Sequence, residues 1–429
     1  MMMEIEEQGA DFTGKYISPD CFSDSNLVKA LTKLGNSGIC SYSGKGGVVV
    51  PMNDAADYIR RYILKYYDDP DQCDLYLANS FLDKDEENDK ESKFTSFGPY
   101  LVPKDCACFD DTAELLEELD LYTEYEELNA DLIGALGDHW WIEMEPFVIP
   151  LGDELNLKWK QFSDDVMHLQ RFTFLSKDEF NGEPEHTDNG LFDILTELQG
   201  IIVRHSLCKK IDKSTHLYRA RPLTEKVAHE FKEITCPPDS AAKQNRMSPA
   251  GISMFYAAFD DKTPLLEGSD KGDGKGWFLT GNFVPKRDLN VLDLTELPSP
   301  ITFWLDGFEE IAFLKAFHKE ITRPIKRDNR IHSEYVPSQV FTEFLRYMFK
   351  GVLLDGMIYN SSLDGEKDIV LFCNQKESSK MLDVVRIDEV DNRCLWSRLC
   401  FVVKGWLKKW RNDTGRTNGF DSYIRSDYD

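Results

Sequence analysis

A chain of 429 residues exceeds the length that one hydrophobic core usually serves, so two domains are expected, and 41% hydrophobic with 12% aromatic residues excludes a disordered composition. The net charge of −26 is unevenly placed: residues 1–195 hold 42 acidic and 15 basic side chains, the remainder 34 and 35. So acidic a first part repels nucleic acid and leaves small molecules or basic protein surfaces as its partners.

In chain order, residues 1–20 are polar and expected to be loose. Met1 to Gly14 is acidic and lacks the positive stretch and apolar run of a secretory signal. Asn26 to Thr32 is patterned as a helix that Gly35-Asn36-Ser37-Gly38 ends. Asp54 to Tyr67 spaces Ala56, Ile59, Ile63 and Tyr66 along one helical face, with Asn53 or Asp54 as N-cap. Asp83 to Lys93 is a charged run expected to be an exposed loop. Thr112 to Asp120, Leu155 to Gln170 and Leu191 to His205 read as helices. Residues 21–195 thus predict a mainly helical first domain, bounded between Glu183-Pro184 and Gly190 or just after the following helix.

Beyond Asp212 the pattern changes to short strands between turns. Strands are predicted at Leu217 to Arg221, Ser253 to Phe259, Leu289 to Asp293, Gly356 to Tyr359 and Ile369 to Cys373. Helices are predicted between them, at Thr224 to Phe231, Phe308 to Lys319 and Pro337 to Phe349. Residues 196–390 therefore read as an α+β domain. The cysteines follow no framework spacing, no run of about 18 apolar residues occurs, and a reduced, cytoplasmic protein is expected.

Four segments of the second part can carry chemistry. In Leu217-Tyr218-Arg219-Ala220-Arg221, strand alternation sets Leu217, Arg219 and Arg221 on one face, where a guanidinium can grip a phosphate. Arg246-Met247-Ser248-Pro249-Ala250-Gly251 leads into a strand with Met254, Tyr256 and Ala258 on one face, and a tyrosine there can stack on an aromatic ring. Thr263-Pro264-Leu265-Leu266-Glu267 reads as a helix start, Thr263 at the N-cap and Pro264 at N1, which brings Glu267 in or just past the first turn as an ionised carboxylate. Gly356 to Ser362, a turn at Gly365 and Asp368 to Asn374 form a hairpin with two hydroxyls at the end of its first strand. Ahead of it, Gln339 and Glu343 ride the helix opened by Tyr335-Val336-Pro337.

In order and spacing these segments, from Leu217 to Asn374, resemble a RES domain, the NAD-consuming module of toxin–antitoxin systems. The resemblance implies a core similar to diphtheria-type ADP-ribosyltransferases, two small sheets around an NAD cleft. It implies an enzyme that splits NAD by hydrolysis or phosphorolysis, or one that transfers ADP-ribose to a protein. It puts the catalytic roles on Arg219, Glu267 and Ser361 and the binding aromatic on Tyr256. Ser362 is the neighbouring alternative serine, Arg246 matches a glycine–arginine segment of the family, and Asp368 stands where relatives often carry asparagine. NAD is the implied substrate and an antitoxin protein the implied partner. Glu267 beside a ribose would stabilise the cationic sugar formed as the nicotinamide bond breaks.

The first part resembles the HEPN-associated domain that precedes some RES modules, through Gly38-Ile39-Cys40-Ser41-Tyr42 and the helix after it. Relatives carry more cysteines there, in a zinc-knuckle-like spacing. Here Ser43 occupies the place of a C-x-x-C partner, only Cys21 accompanies Cys40, and Cys106-Ala107-Cys108 is too tight for a chelate, so no metal is expected. A HEPN-type ribonuclease needs arginine and histidine four to six residues apart on a helix, and residues 1–195 contain no pair at that spacing; Arg327 to His332 sits in a polar loop. A non-catalytic NAD-binding module is the reading of another class. The acidic first domain is expected to restrain or support the second. Cys394 to Arg411, within residues 391–411, is a cationic amphipathic helix suited to an anionic membrane surface or to the acidic domain, and residues 412–429 read as a disordered tail.

Overall fold

In the computed structural model of the chain, residues 12, 14–70, 94–98, 100–103, 106–144, 149–171, 190–223, 227–270, 277–325 and 331–391 are described. Their helices and strands make an α+β protein. They cluster into two compact units, Met1–Asn156 with Leu297–Lys315, and Leu157–Glu296 with the residues from Ala316 onward. The charged run 83–93, the segment 183–189, the cationic segment 394–411 and the tail 412–429 lie outside the described residues.

In the first unit, four helices span Ser25–Thr32, Met52–Ile63, Thr112–Glu118 and Glu126–Leu136. Asp24 caps the first by accepting from the backbone of Asn26 and Leu27 at 2.8 and 2.9 Å. The second starts at Met52 with Pro51 as its N-cap rather than Asn53 or Asp54, because strand Gly46–Pro51 runs straight into it. Its buried Met52, Ala55, Ala56, Ile59 and Ile63 follow the helical period. Short strands, none of them predicted, pair around these helices, as Asn36–Ile39 does with Gly46–Pro51. The segment from Leu297 supplies part of this unit's core. Trp304 is buried, donates from Nε1 to Leu119 O at 3.3 Å, and lies 5.2 Å from the Tyr62 ring, while Phe303 meets Tyr66 at 5.1 Å.

The second unit is built on one sheet, its strands numbered here in chain order: β1 Cys208–Ile211, β2 Leu217–Leu223, β3 Phe255–Ala258, β4 Trp277–Pro285, β5 Leu289–Asp293, β6 Gly356–Asn360, β7 Lys367–Leu371 and β8 Leu382–Asp391. The eight strands run in the order β8-β4-β2-β3-β7-β6-β5-β1, with β5 and β6 parallel and the other neighbours antiparallel. Leu217, Phe255, Leu279, Phe283, Val291, Ile369 and Leu371 form its core. The expectation of two separate small sheets is corrected to one continuous sheet with a narrow waist. β2 is registered to β4 along its whole length, from Leu217↔Phe283 to Leu223↔Trp277, whereas β2 and β3 meet at the single pair Tyr218↔Ala258. Beyond that pair the two strands part, and the sheet opens there.

Helix α1 (Thr263–Asp270) follows β3, and α2 (Val336–Tyr347) precedes β6. Of the helix expected over Thr224 to Phe231, residues 224–226 lie outside the described residues, and the rest is corrected: residues 227–230 are not helical, Glu230 is extended, and a short helix runs over Phe231–Ile234 before Pro237 and Pro238 prevent continuation. Buried Asp355 anchors the entry to β6, gripped by Arg287 at 2.8 and 2.6 Å and by the Asn290 amide at 3.0 Å. Among the described residues no helix is long and apolar enough to cross a membrane.

Candidate active site

The opening between β2 and β3 leads into a cavity of about 200 Å³, lined by Arg219, Tyr256 and Glu267 together with Ser248, Tyr359 and Asp368. That is below the ~300–1,000 Å³ that encloses a drug-sized ligand, so it suits one end of an extended one. Arg219 shares its strand face with Leu217 and Leu223, both core residues, and its guanidinium lies 5.4 Å from the Phe255 ring centroid. Nη1 donates to Tyr256 O at 2.6 Å across the gap, while the buried Nε has no hydrogen-bond partner. Among the described residues no carboxylate pairs with it, and burial lowers its pKa from the ordinary arginine value. A guanidinium kept in such surroundings attracts an anion that enters the cavity.

On β3, Phe255 and Ala257 join the core, and strand alternation turns Tyr256 to the other face. Its hydroxyl is 2.9 Å from Ser248 Oγ, and burial pushes its pKa up, so the ring is held neutral and fixed. Ser248 is positioned by a tight turn, with Asn245 and Ser248 exchanging backbone bonds of 2.8 and 3.3 Å. From α2, Gln339 Nε2 donates to Asn245 O and Ser248 O, and Ser338 Oγ donates to Arg246 O at 2.7 Å. The polar residues that open α2 therefore act as a clamp on this turn, which explains why Gln339 is buried.

Helix α1 begins at Thr263, one place earlier than an N-cap threonine would have it, because Asp260 takes the capping role: its Oδ1 accepts from the backbone of Lys262 and Thr263 at 2.8 and 2.9 Å. The helix approaches β4 closely at Gly268, where a Cβ would stand 2.5 Å from the Phe278 ring. Glu267 thus reaches the cavity from just past the first turn. Ser361, buried at the end of β6, donates from Oγ to Glu267 Oε1 at 3.4 Å. A tight turn sets that serine: Ser361 N donates to Glu366 O at 2.8 Å, and Gly365 N to Ser361 O at 3.0 Å with Gly365 at φ +80°.

Arg219, Tyr256 and Glu267 therefore meet at one cavity, with Ser361 joined to Glu267. Ser362 is exposed and lines no part of it. Arg246 stands behind the cavity wall, donating to Ile321 O at 3.0 Å and lying over Tyr335; burial lowers its pKa, and the Glu267 carboxylate is among the negative groups that offset this. The motif reading noted Asp368 without giving it a role and missed Tyr359; the two are register partners on β7 and β6 and both buried, and burial first, then the Asp368 charge, raises the pKa of Tyr359. Strand alternation in Gly356 to Asn360 could have found Tyr359, whereas the motif marked the position of Asp368 but not its place in a cavity.

In the first unit, Cys21 and Cys40 place their Sγ atoms 3.8 Å apart, as do Cys106 and Cys108. Burial pushes the Cys40 thiol up, but hydrogen bonds from Ser43 and the Ser18 backbone outweigh it and bring the pKa to about 7. Ser43, in the place of a further cysteine, thus serves the thiol by hydrogen bonding instead. Among the described residues no group of three or more His, Cys, Asp or Glu could hold a metal ion.

Comparison with known proteins gives two family matches, HEPN/RES N-terminal domain 1 over residues 33–180 and RES domain over residues 216–391. No curated protein and no solved structure matches the chain. The two matched spans cover about three quarters of the sequence without overlap, and the second encloses the whole cavity just described. The chain is a RES domain protein with a HEPN-associated N-terminal domain.

Proposed function

We propose that this protein consumes NAD by breaking the bond between nicotinamide and ribose and passing ADP-ribose to water or phosphate. RES domains are a family of NAD-using, toxin-like modules. The observation that carries the reading for this chain is an arginine without a carboxylate partner among the described residues, opening on the same cavity as the Glu267–Ser361 pair. The anionic pyrophosphate is the ligand group that such a guanidinium recognises. Tyr256, neutral and fixed through Ser248, offers a ring for stacking. Glu267 supplies negative charge where the sugar becomes cationic as the bond breaks, and Ser361 orients that carboxylate through a hydrogen bond that tightens when substrate fills the site. Arg246 contributes positive charge from behind the wall.

Purified protein incubated with NAD, with and without phosphate, is the test, with nicotinamide and the ADP-ribose product measured. Release of nicotinamide is expected; its absence in both conditions, together with no labelling of protein by tagged NAD, would refute the proposal. In a bacterial host, expression should deplete NAD before growth stops, and the partner suited to prevent this is an antitoxin protein that covers the cavity mouth.

A further inference from the structure

We propose that Thr263 and Asp364 are positioning residues that latch the serine-bearing turn onto the glutamate-bearing helix, an inference that rests on the NAD-cleaving reading of the same site. Thr263 and Glu267 stand four residues apart on α1 and so share one face, one helical turn apart. Both meet the turn that follows β6. Thr263 Oγ1 is 2.7 Å from Asp364 Oδ2, and Glu267 Oε1 accepts from Ser361 Oγ at 3.4 Å. The two contacts run side by side between the same two elements, so the shorter one fixes the distance that the longer one must span. Thr263 is fully buried, and water cannot replace a partner lost there.

Proton counting gives the latch a signature. Thr263 Oγ1 also lies 2.8 Å from Asp260 Oδ2, and a hydroxyl has a single proton to donate. With both carboxylates ionised, one receives the hydrogen bond and the other faces a lone pair. Asparagine in place of Asp364 resolves the conflict, since its amide N–H donates to the hydroxyl oxygen while the hydroxyl donates to Asp260. Alanine in its place removes the latch, and valine at Thr263 keeps the shape while deleting the hydroxyl.

The experiment measures kcat and KM for NAD, the melting temperature, and amide hydrogen exchange of the 361–366 turn without NAD, in the full chain and in T263V, T263S, D364A and D364N. T263V and D364A should lower kcat about tenfold, the scale of one hydrogen bond, with KM held within about twofold. The amides of Ser361 and Gly365 should exchange faster in those two variants. T263S and D364N should keep both kcat and protection. Unchanged kcat in T263V, or D364N as impaired as D364A, would overturn the latch. A variant that melts early is set aside, and the Asp364 pair then decides alone. If the wild-type protein releases no nicotinamide, the NAD reading fails, and exchange decides by itself: faster exchange in D364A than in D364N supports the latch, and equal exchange rejects it.

Discussion

Replacing Arg219 by methionine separates a ligand-binding arginine from a framework one. Methionine keeps the unbranched length among Leu217, Leu223 and Phe255 and removes the charge. For the empty protein the change loses the Nη1 bond to Tyr256 O, about 1 kcal/mol for an ordinary hydrogen bond, and also removes a buried Nε that has no partner, which relieves about 1–3 kcal/mol. Stability should therefore be unchanged or raised by up to about 2 kcal/mol. For the NAD-bound protein it deletes a charge-assisted contact of about 1.5–3 kcal/mol, which weakens binding roughly 10- to 150-fold. Binding is measured by calorimetry in an E267Q background, where NAD persists, and stability by thermal and denaturant melts. NAD affinity equal to that of E267Q alone would refute the pyrophosphate role. A stability loss of about 3–5 kcal/mol would mark Arg219 as half of a structural pair instead.

Further outcomes follow from named contacts. E267Q should keep NAD affinity and lower kcat about 10²–10³-fold, because its charge matters mainly when the sugar becomes cationic; equal losses of binding and turnover would contradict that division. S361A should lower turnover more than S362A, since only Ser361 bonds to Glu267; the assay is initial-rate nicotinamide release. W304A should destabilise by about 3–5 kcal/mol, and a chain lacking residues 1–195 should precipitate, because Phe303 and Trp304 lose the core that buries them; melting and sedimentation of the two proteins check this. Lys209 and then Lys367 hold the Glu296 carboxyl down from 4.5 to about 2. A depressed folded value means that its contribution is full above the unfolded pKa and is lost as pH falls from about 4.5 through about 2. Melting temperature against pH should fall less steeply in E296Q over that window, and parallel curves would count against the network.

Much of the second unit was legible because its strands are short apolar runs between turn residues. Leu289–Asp293 matches its predicted limits at both ends, and Val336–Tyr347 and Phe308–Thr322 nearly do. β8 escaped although it holds Val384, Val385, Ile387 and Val390, because Asp383, Asp388, Glu389 and Asp391 interrupt its apolar alternation; pairing with β4 from Trp277↔Asp391 to Pro285↔Leu382 holds it. In the first unit, strands as short as Tyr16–Ile17 leave no readable period, while the apolar run at Val48 to Val50 could have been recognised. Phe303 and Trp304 announce burial in the sequence but not that their core belongs to Met1–Asn156. At the site, the ordered motif singled out Arg219, Tyr256, Glu267 and Ser361, which the fold brings to one cavity or, for Ser361, to Glu267. The waist at Tyr218↔Ala258, the Gln339 clamp and the hydroxyl between Asp260 and Asp364 are tertiary facts that no local pattern encodes.

The central claim is that this cavity cleaves NAD with Glu267 as its charged centre. Nicotinamide released by the purified full-length protein, compared with E267Q purified in the same way, tests it most directly. Steady release by the wild type, reduced about a hundredfold or more in E267Q while NAD binding persists, is the predicted result. No release by the wild type, or equal release by both proteins, would contradict it.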